Sequence, residues 1–174
     1  GRSKDLIIRS GHNIDPKTIE DALSAHPCVQ LCAAVGAPDA YAGELPVVFA
    51  TLVPGTTATA AELLDFVSQR VDEAPARPKS VTILSIMPMT NVGKIFKPEL
   101  RLLATQTVVA ALVDHVYRAQ NCTDLVRASV QIDAQQGVQV VFSNGQTSAW
   151  ETALYAALKD ALARLPVKVS LHSI

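Results

Sequence analysis

Two stretches are almost continuously apolar, VQLCAAVG at 29–36 and PVVFATLV at 46–53. Runs of that length, bounded by turn residues, predict strands covered on both faces. Pro54-Gly55 closes the second run. VTILS at 81–85 predicts a third strand. A shorter β-branched run, KDLIIR at 4–9, is broken by Ser10-Gly11 and followed by HNI, which predicts a hairpin bending at the glycine. Helical spacing takes over between these runs. Asp15 and Pro16 suit an N-cap and a first helical residue, Ile19, Ala22 and Leu23 share a face, and His26-Pro27 ends the helix. Thr59 and Glu62 predict a capping box ahead of Ala60, Leu63, Leu64, Val67 and Val71.

The pattern changes after a polar turn containing Gly93-Lys94. From Pro98, the positions Leu100, Leu103, Ala104, Val108, Ala111, Leu112 and Val116 mark a helix of several turns. Val126, Ala128, Val130 and Ile132 alternate with polar residues, as do Val138, Val140 and Phe142, predicting two strands. Ser148 with Glu151 caps a further helix, faced by Trp150, Leu154, Ala157, Leu158, Ala161 and Leu162. Val167, Val169 and Leu171 predict a last strand. The expected fold class is α+β. Residues 1–102 form a short hairpin plus a three-stranded sheet with helices. Residues 103–174 form an α/β extension of unknown role whose helix-β-β-α-β order resembles most of a ferredoxin-like sandwich. The default reading of that extension is a structural cap, against a dimerisation sandwich or a regulatory ligand-binding domain.

Composition narrows the function. The chain has 174 residues, 49% hydrophobic and 18% charged, enough for a real core. Fifteen Lys and Arg against 16 Asp and Glu give a formal net charge of −1, which argues against nonspecific nucleic-acid binding and a polybasic membrane surface. No apolar run is long enough for a transmembrane helix, and no secretory n-region and h-region open the chain. Cys28, Cys32 and Cys122 share no C-x-x-C spacing, so they read as reduced residues of a cytoplasmic chain. The start, GRSKDLII, has no initiator Met and runs into a strand at once, so a piece of a longer protein is expected.

Common catalytic patterns fall away. His12, His26, His115 and His172 are scattered without i+4 partners, so no metal site is expected. No G-x-S-x-G elbow is present. Lys94 is followed by Ile95 and lacks the upstream glycine of a phosphate loop. Taken singly, Lys94, Arg2, Lys4, Arg77 and Lys79 read as solvated charges.

Their order changes that reading. GRSKDLIIRSGHNIDPKTIE, then VGAPDAYAGELP, then RPKSVTIL, then MPMTNVGKIFKPELR together resemble the C-terminal domain of the adenylate-forming family. That family includes acyl- and aryl-CoA ligases, luciferases and the adenylation domains of nonribosomal peptide synthetases. The likeness covers residues 1 to about 102. It is strongest towards acyl-CoA synthetases, and GHNIDP and GKIFKPELR suggest a long-form bacterial fatty-acyl-CoA type.

The resemblance implies a lid domain for an AMP-forming acid–thiol ligase. ATP and a carboxylic acid, expected to be a fatty acid, give an acyl-adenylate, and CoA then takes the acyl group. Most of the nucleotide and acyl site belongs to a missing N-terminal ligase domain, so this chain alone is expected to be inactive. Mg2+ is expected in the whole enzyme, with no metal site here. In the implied roles, Lys94 is the adenylation lysine, Lys4 the hinge and Arg2 a contact to the adenylate ribose. Ser10, Gly11 and His12 line the pantetheine tunnel, and Arg77 and Lys79 meet CoA phosphates. His12 stands where Glu is common, and Tyr41 sits one position before the usual aromatic. The rival readings are a noncatalytic regulatory or assembly module, and a ligase that loads carrier-protein phosphopantetheine. A homo-oligomer stays open.

Overall fold

The computed structural model describes residues 5–120, 128–133, 137–142 and 149–173. The chain divides into two compact units, Gly1–Arg101 and Leu102–Ile174. In the first, β1 (Ile7–Arg9) and β2 (His12–Ile14) form the expected hairpin, followed by α1 (Pro16–Ser24), β3 (Val29–Asp39), β4 (Gly43–Leu52), α2 (Ala60–Ser68) and β5 (Val81–Ile83). Asp15 caps α1 by accepting the Lys17 N–H at 3.0 Å, with Pro16 opening the helix. Thr59 and Glu62 close the full capping box on α2.

The sheet runs β2-β1-β4-β3, with β5 parallel to β4. The hairpin is therefore not separate from a three-stranded sheet. Arg9 pairs with Gly43, joining β1 to β4 in one five-stranded sheet. β3 and β4 also outrun their apolar stretches and form one long antiparallel pair, from Val29↔Leu52 to Asp39↔Gly43. Asp39 Oδ1 ends it by accepting the Tyr41 and Ala42 N–H groups at 3.0 and 2.7 Å. α2 stops at Ser68, short of Val71, yet Val71 is buried because the chain turns inward after the helix. The core is made by Ile7, Ile19, Leu23, Val48, Leu63 and Val67. Burying each of the larger side chains contributes about 1.5–3 kcal/mol.

The long helix α3 (Lys97–Ala119) leads into the second unit, which holds β6 (Ala128–Asp133), β7 (Gly137–Phe142), α4 (Ala149–Ala163) and β8 (Ser170–Ser173). Val109 and Val113 of α3 pack with Val138, Val140, Leu154 and Leu158. Gln106 Nε2 donates to the Val130 carbonyl on the edge strand β6 at 3.0 Å. β6 and β7 are antiparallel, while β7 and β8 pair directly in parallel on either side of α4. A complete ferredoxin-like sandwich would carry another strand between those two. β8 begins three residues after Val167, which is exposed. Val126, Ser148, Cys122 and the side chains of Trp150 and Glu151 lie outside the described residues. No described helix is long and apolar enough to cross a membrane.

Candidate functional site

Lys94 sits at the end of a tight turn between β5 and α3. The Gly93 N–H donates to the Thr90 carbonyl at 2.9 Å, and the Thr90 N–H donates to the Lys94 carbonyl at 2.7 Å. The Lys94 N–H reaches Thr90 Oγ1 at 3.1 Å. Below the turn, Met89 and Ile95 form an antiparallel bridge, and the Phe96 N–H donates to the Pro88 carbonyl at 2.8 Å. Gly93 has φ 75°, the left-handed region that closes a three-residue hairpin loop. A Cβ there would meet nothing within 4 Å, so the glycine serves backbone conformation and not packing within this unit. Lys94 is exposed. So are Ile86 (81%), Val92 (79%), Met89 and Phe96 in the same stretch of chain.

The exit from this turn is anchored. Lys97, the first residue of α3, places Nζ 2.7 Å from Glu20 Oε1 on α1. The same oxygen accepts the Ala34 N–H of β3 at 2.9 Å. One turn later Arg101 pairs with Asp5 at 3.1 Å. Cys32 lies beside this node, its Sγ donating to the Glu20 carbonyl at 3.4 Å. Burial first, then the charges of Glu20 and Asp21, push the Cys32 thiol up to about 11, with Lys97 opposing.

Ser10, Gly11 and His12 form a second turn. Ser10 at φ 47° and Gly11 at φ 84° make the left-handed pair that a two-residue hairpin demands, and Arg9 pairs with His12. The Ser10 N–H donates to the Ala42 carbonyl at 2.8 Å, placing this turn beside the β3–β4 tip. Tyr41 projects from that tip at 94% exposure. Glu44 binds the hairpin from β4, accepting the Ile8 N–H at 2.8 Å.

Arg77 and Lys79 flank buried Pro78 on the connector before β5, and both are exposed. Arg77 Nε donates to the Val71 carbonyl at 3.0 Å, and the Lys79 N–H to the Pro46 carbonyl at 2.8 Å. Arg9 Nη1 donates to the Pro75 carbonyl at 2.6 Å and ties the hairpin to this connector. The structure thus ties Arg9, next to the Ser10-Gly11 turn, to Pro75 on the connector that leads to Arg77 and Lys79. Lys94 is built on its own turn. Arg2 and Lys4 lie outside the described residues. Sequence reasoning passed over Glu20, Glu44 and Arg9. Each acts on a backbone group or a side chain far along the chain, and spacing gives no sign of such a partner.

Residues 18–94 match the profile of the AMP-binding enzyme C-terminal domain. Over 101 residues the chain is 52% identical to marinolic acid–CoA ligase of Pseudoalteromonas sp. (strain SANK 73390), covering 58% of this chain and 15% of that protein. It is 39% identical over 107 residues to a long-chain-fatty-acid–CoA ligase of Bacillus subtilis (strain 168), covering 61% of this chain and 18% of the relative. The structure resembles apo MatB from Rhodopseudomonas palustris, with a TM-score of 0.57 and 32% identity over 60% of this chain and 21% of that one. A fatty acyl CoA synthetase of Mycobacterium tuberculosis gives a TM-score of 0.55 at 28% identity, over 61% of this chain and 21% of that one. The chain therefore spans about a fifth or less of the length of these relatives.

Proposed function

We propose that this chain is the lid of an acyl-CoA synthetase and supplies Lys94 to adenylation, on the ground that residues 18–94 match the AMP-binding enzyme C-terminal domain. In that reaction a carboxylate oxygen attacks the α-phosphorus of ATP and pyrophosphate leaves. Negative charge gathers on the phosphoryl oxygens in the transition state. Lys94 acts there as a positioned point charge, with no proton transfer required of it. The carrying observation is its placement on a turn fixed by backbone bonds, in a segment that also exposes Ile86, Met89, Val92 and Phe96. Exposed apolar residues in the segment that carries Lys94 suit closure onto a larger N-terminal ligase domain, the partner that would hold ATP and the acid. Mg2+ would enter with ATP and offset charge on its phosphates.

In the second half-reaction the CoA thiol gives up its proton, its sulfur attacks the adenylate carbonyl carbon, and AMP leaves. Ser10, Gly11 and His12 would line the path of the pantetheine arm, and Arg77 and Lys79 would meet the CoA phosphates. Two turns built on separate elements support two poses of one lid, pivoting near Lys4, with Arg2 at the adenylate ribose. The acid is proposed to be a fatty or related carboxylic acid, as the names of the relatives suggest. Free thiols at Cys28 and Cys32 suit a reducing, cytoplasmic setting.

The test uses Lys94→Ala in the full-length enzyme. Acid-dependent ATP–pyrophosphate exchange is expected to fall by roughly two to three orders of magnitude. Thioester formation from presynthesised acyl-adenylate should persist. Unchanged exchange would reduce Lys94 to a solvated loop residue and overturn the assignment.

A further inference from the structure

We propose that Glu20 is a positioning residue for Lys94, holding the adenylation turn through Lys97; this rests on the function proposed above. Lys97 follows Lys94 by three positions, a reach of at most about 10 Å. Between them the backbone is fixed on one side by the Met89–Ile95 bridge and the Phe96–Pro88 bond. On the other side, the Lys97 ammonium is held by Glu20 Oε1. Glu20 is itself a rigid post, because the same oxygen accepts the Ala34 N–H from within β3. The Lys97 and Glu20 side chains are only 20% and 23% exposed, so their pairing is less screened than a surface ion pair.

Glu20 therefore links three elements at one oxygen: α1, which carries it, β3, whose backbone it caps, and the start of α3. Loss of its charge frees Lys97 while leaving an amide oxygen for Ala34. The base of the turn then gains freedom that the long Lys94 side chain cannot correct. A small misplacement of a charge-stabilising group lowers the chemical rate more than it lowers substrate binding.

The experiment compares Glu20→Gln, Lys97→Gln and the double variant in the full-length enzyme, with Lys94→Ala as reference. Acetate, octanoate and palmitate are offered, and whichever supports wild-type exchange is used. Glu20→Gln should lower kcat for ATP–pyrophosphate exchange roughly tenfold with KM for ATP changed less than about twofold. Thioester formation from the presynthesised adenylate should stay within about twofold of wild type, and the double variant should be no slower than either single one. Wild-type exchange in Glu20→Gln overturns the positioning role. So does equal loss in both half-reactions, which would mean general damage to the fold, or strict additivity of the two variants. If Lys94→Ala itself leaves exchange intact, the catalytic reading fails and this inference with it. If Lys94→Ala abolishes exchange and Glu20→Gln does not, only this inference fails.

Discussion

Glu44 fills the space that a side chain at Gly36 would occupy. A Cβ built on Gly36 would lie 2.5 Å from Glu44 Cδ and 2.6 Å from Oε2. The carboxylate lies against Gly36 of β3, and Oε2 accepts the Ile8 N–H at 2.8 Å. One glycine on β3 thus permits one glutamate on β4 to hold β1, which carries the Ser10-Gly11 turn. Gly36 has no left-handed backbone, so the demand for glycine at this position is one of space. Gly36→Ala should displace Glu44, strand the Ile8 N–H, and cost about 1–3 kcal/mol in urea denaturation. Combining it with Glu44→Ala should cost no more than Glu44→Ala alone. A fully additive pair would mean that the two side chains do not compete for one space.

Gly93 and Ser10 make the opposite case, since their demand is conformational. Gly93 has open space around its Cβ position but φ 75°. Gly93→Ala should therefore destabilise the chain by about 1–2 kcal/mol through the left-handed backbone alone. Ser10 already sits at φ 47° and bears that cost. Ser10→Gly should be neutral or raise stability by up to about 1 kcal/mol. Thermal unfolding of both variants decides the matter. Loss of stability in Ser10→Gly would show that its side chain contributes more than its backbone costs.

Cys32 gives a pH-dependent prediction. Its thiol is raised from 9.0 to about 11, first by burial and then by nearby carboxylates. The native state thus holds this proton more tightly than the unfolded chain does. That stabilisation is full below the ordinary thiol value and is lost as pH rises from about 9 towards about 11. At pH 8 the thiolate population is about a hundredfold below that of an unperturbed thiol. Iodoacetamide should therefore label Cys32 slowly in the native chain, and much faster in urea. Rapid native labelling, read by mass spectrometry of the Cys32 peptide, would contradict the raised thiol in its half-buried setting.

Much of the fold was legible because it rests on local chemistry. Asp15-Pro16, the Thr59–Glu62 box and Ser10-Gly11 act within four residues, and each forms as its residue types require. The joining of β1 to β4 was not legible, because Arg9↔Gly43 connects residues with no shared periodicity. The polar ends of β3 and β4 hid their true length in the same way. APD and GEL look like loop residues, yet the Asp39 side chain closes the strands into a turn. At the site, Lys94 stood out through its motif, whereas Glu20 and Glu44 did not. Their roles appear only when α1 meets the start of α3 and when the Glu44 carboxylate fills the space at Gly36.

Lys79 offers a test of the proposed contact to CoA that leaves the adenylation step aside. It shares the connector with Arg77, but the two differ in what else they do. The Arg77 guanidinium also donates to the Val71 carbonyl, so its removal would loosen the connector as well as remove charge. Lys79 is anchored by its backbone N–H on the Pro46 carbonyl, a bond that survives truncation of the side chain. Lys79→Ala is therefore the cleaner probe of a phosphate contact. KM for CoA should rise roughly five- to tenfold, the loss of one charge-assisted contact. ATP–pyrophosphate exchange should not change, because that step precedes CoA entry. If Lys79 meets the 3′-phosphate, wild type should discriminate against 3′-dephospho-CoA and Lys79→Ala should not. Equal discrimination by both proteins, with a raised KM, would place Lys79 at the pyrophosphate bridge instead. An unchanged KM for CoA would remove Lys79 from the thioester site altogether.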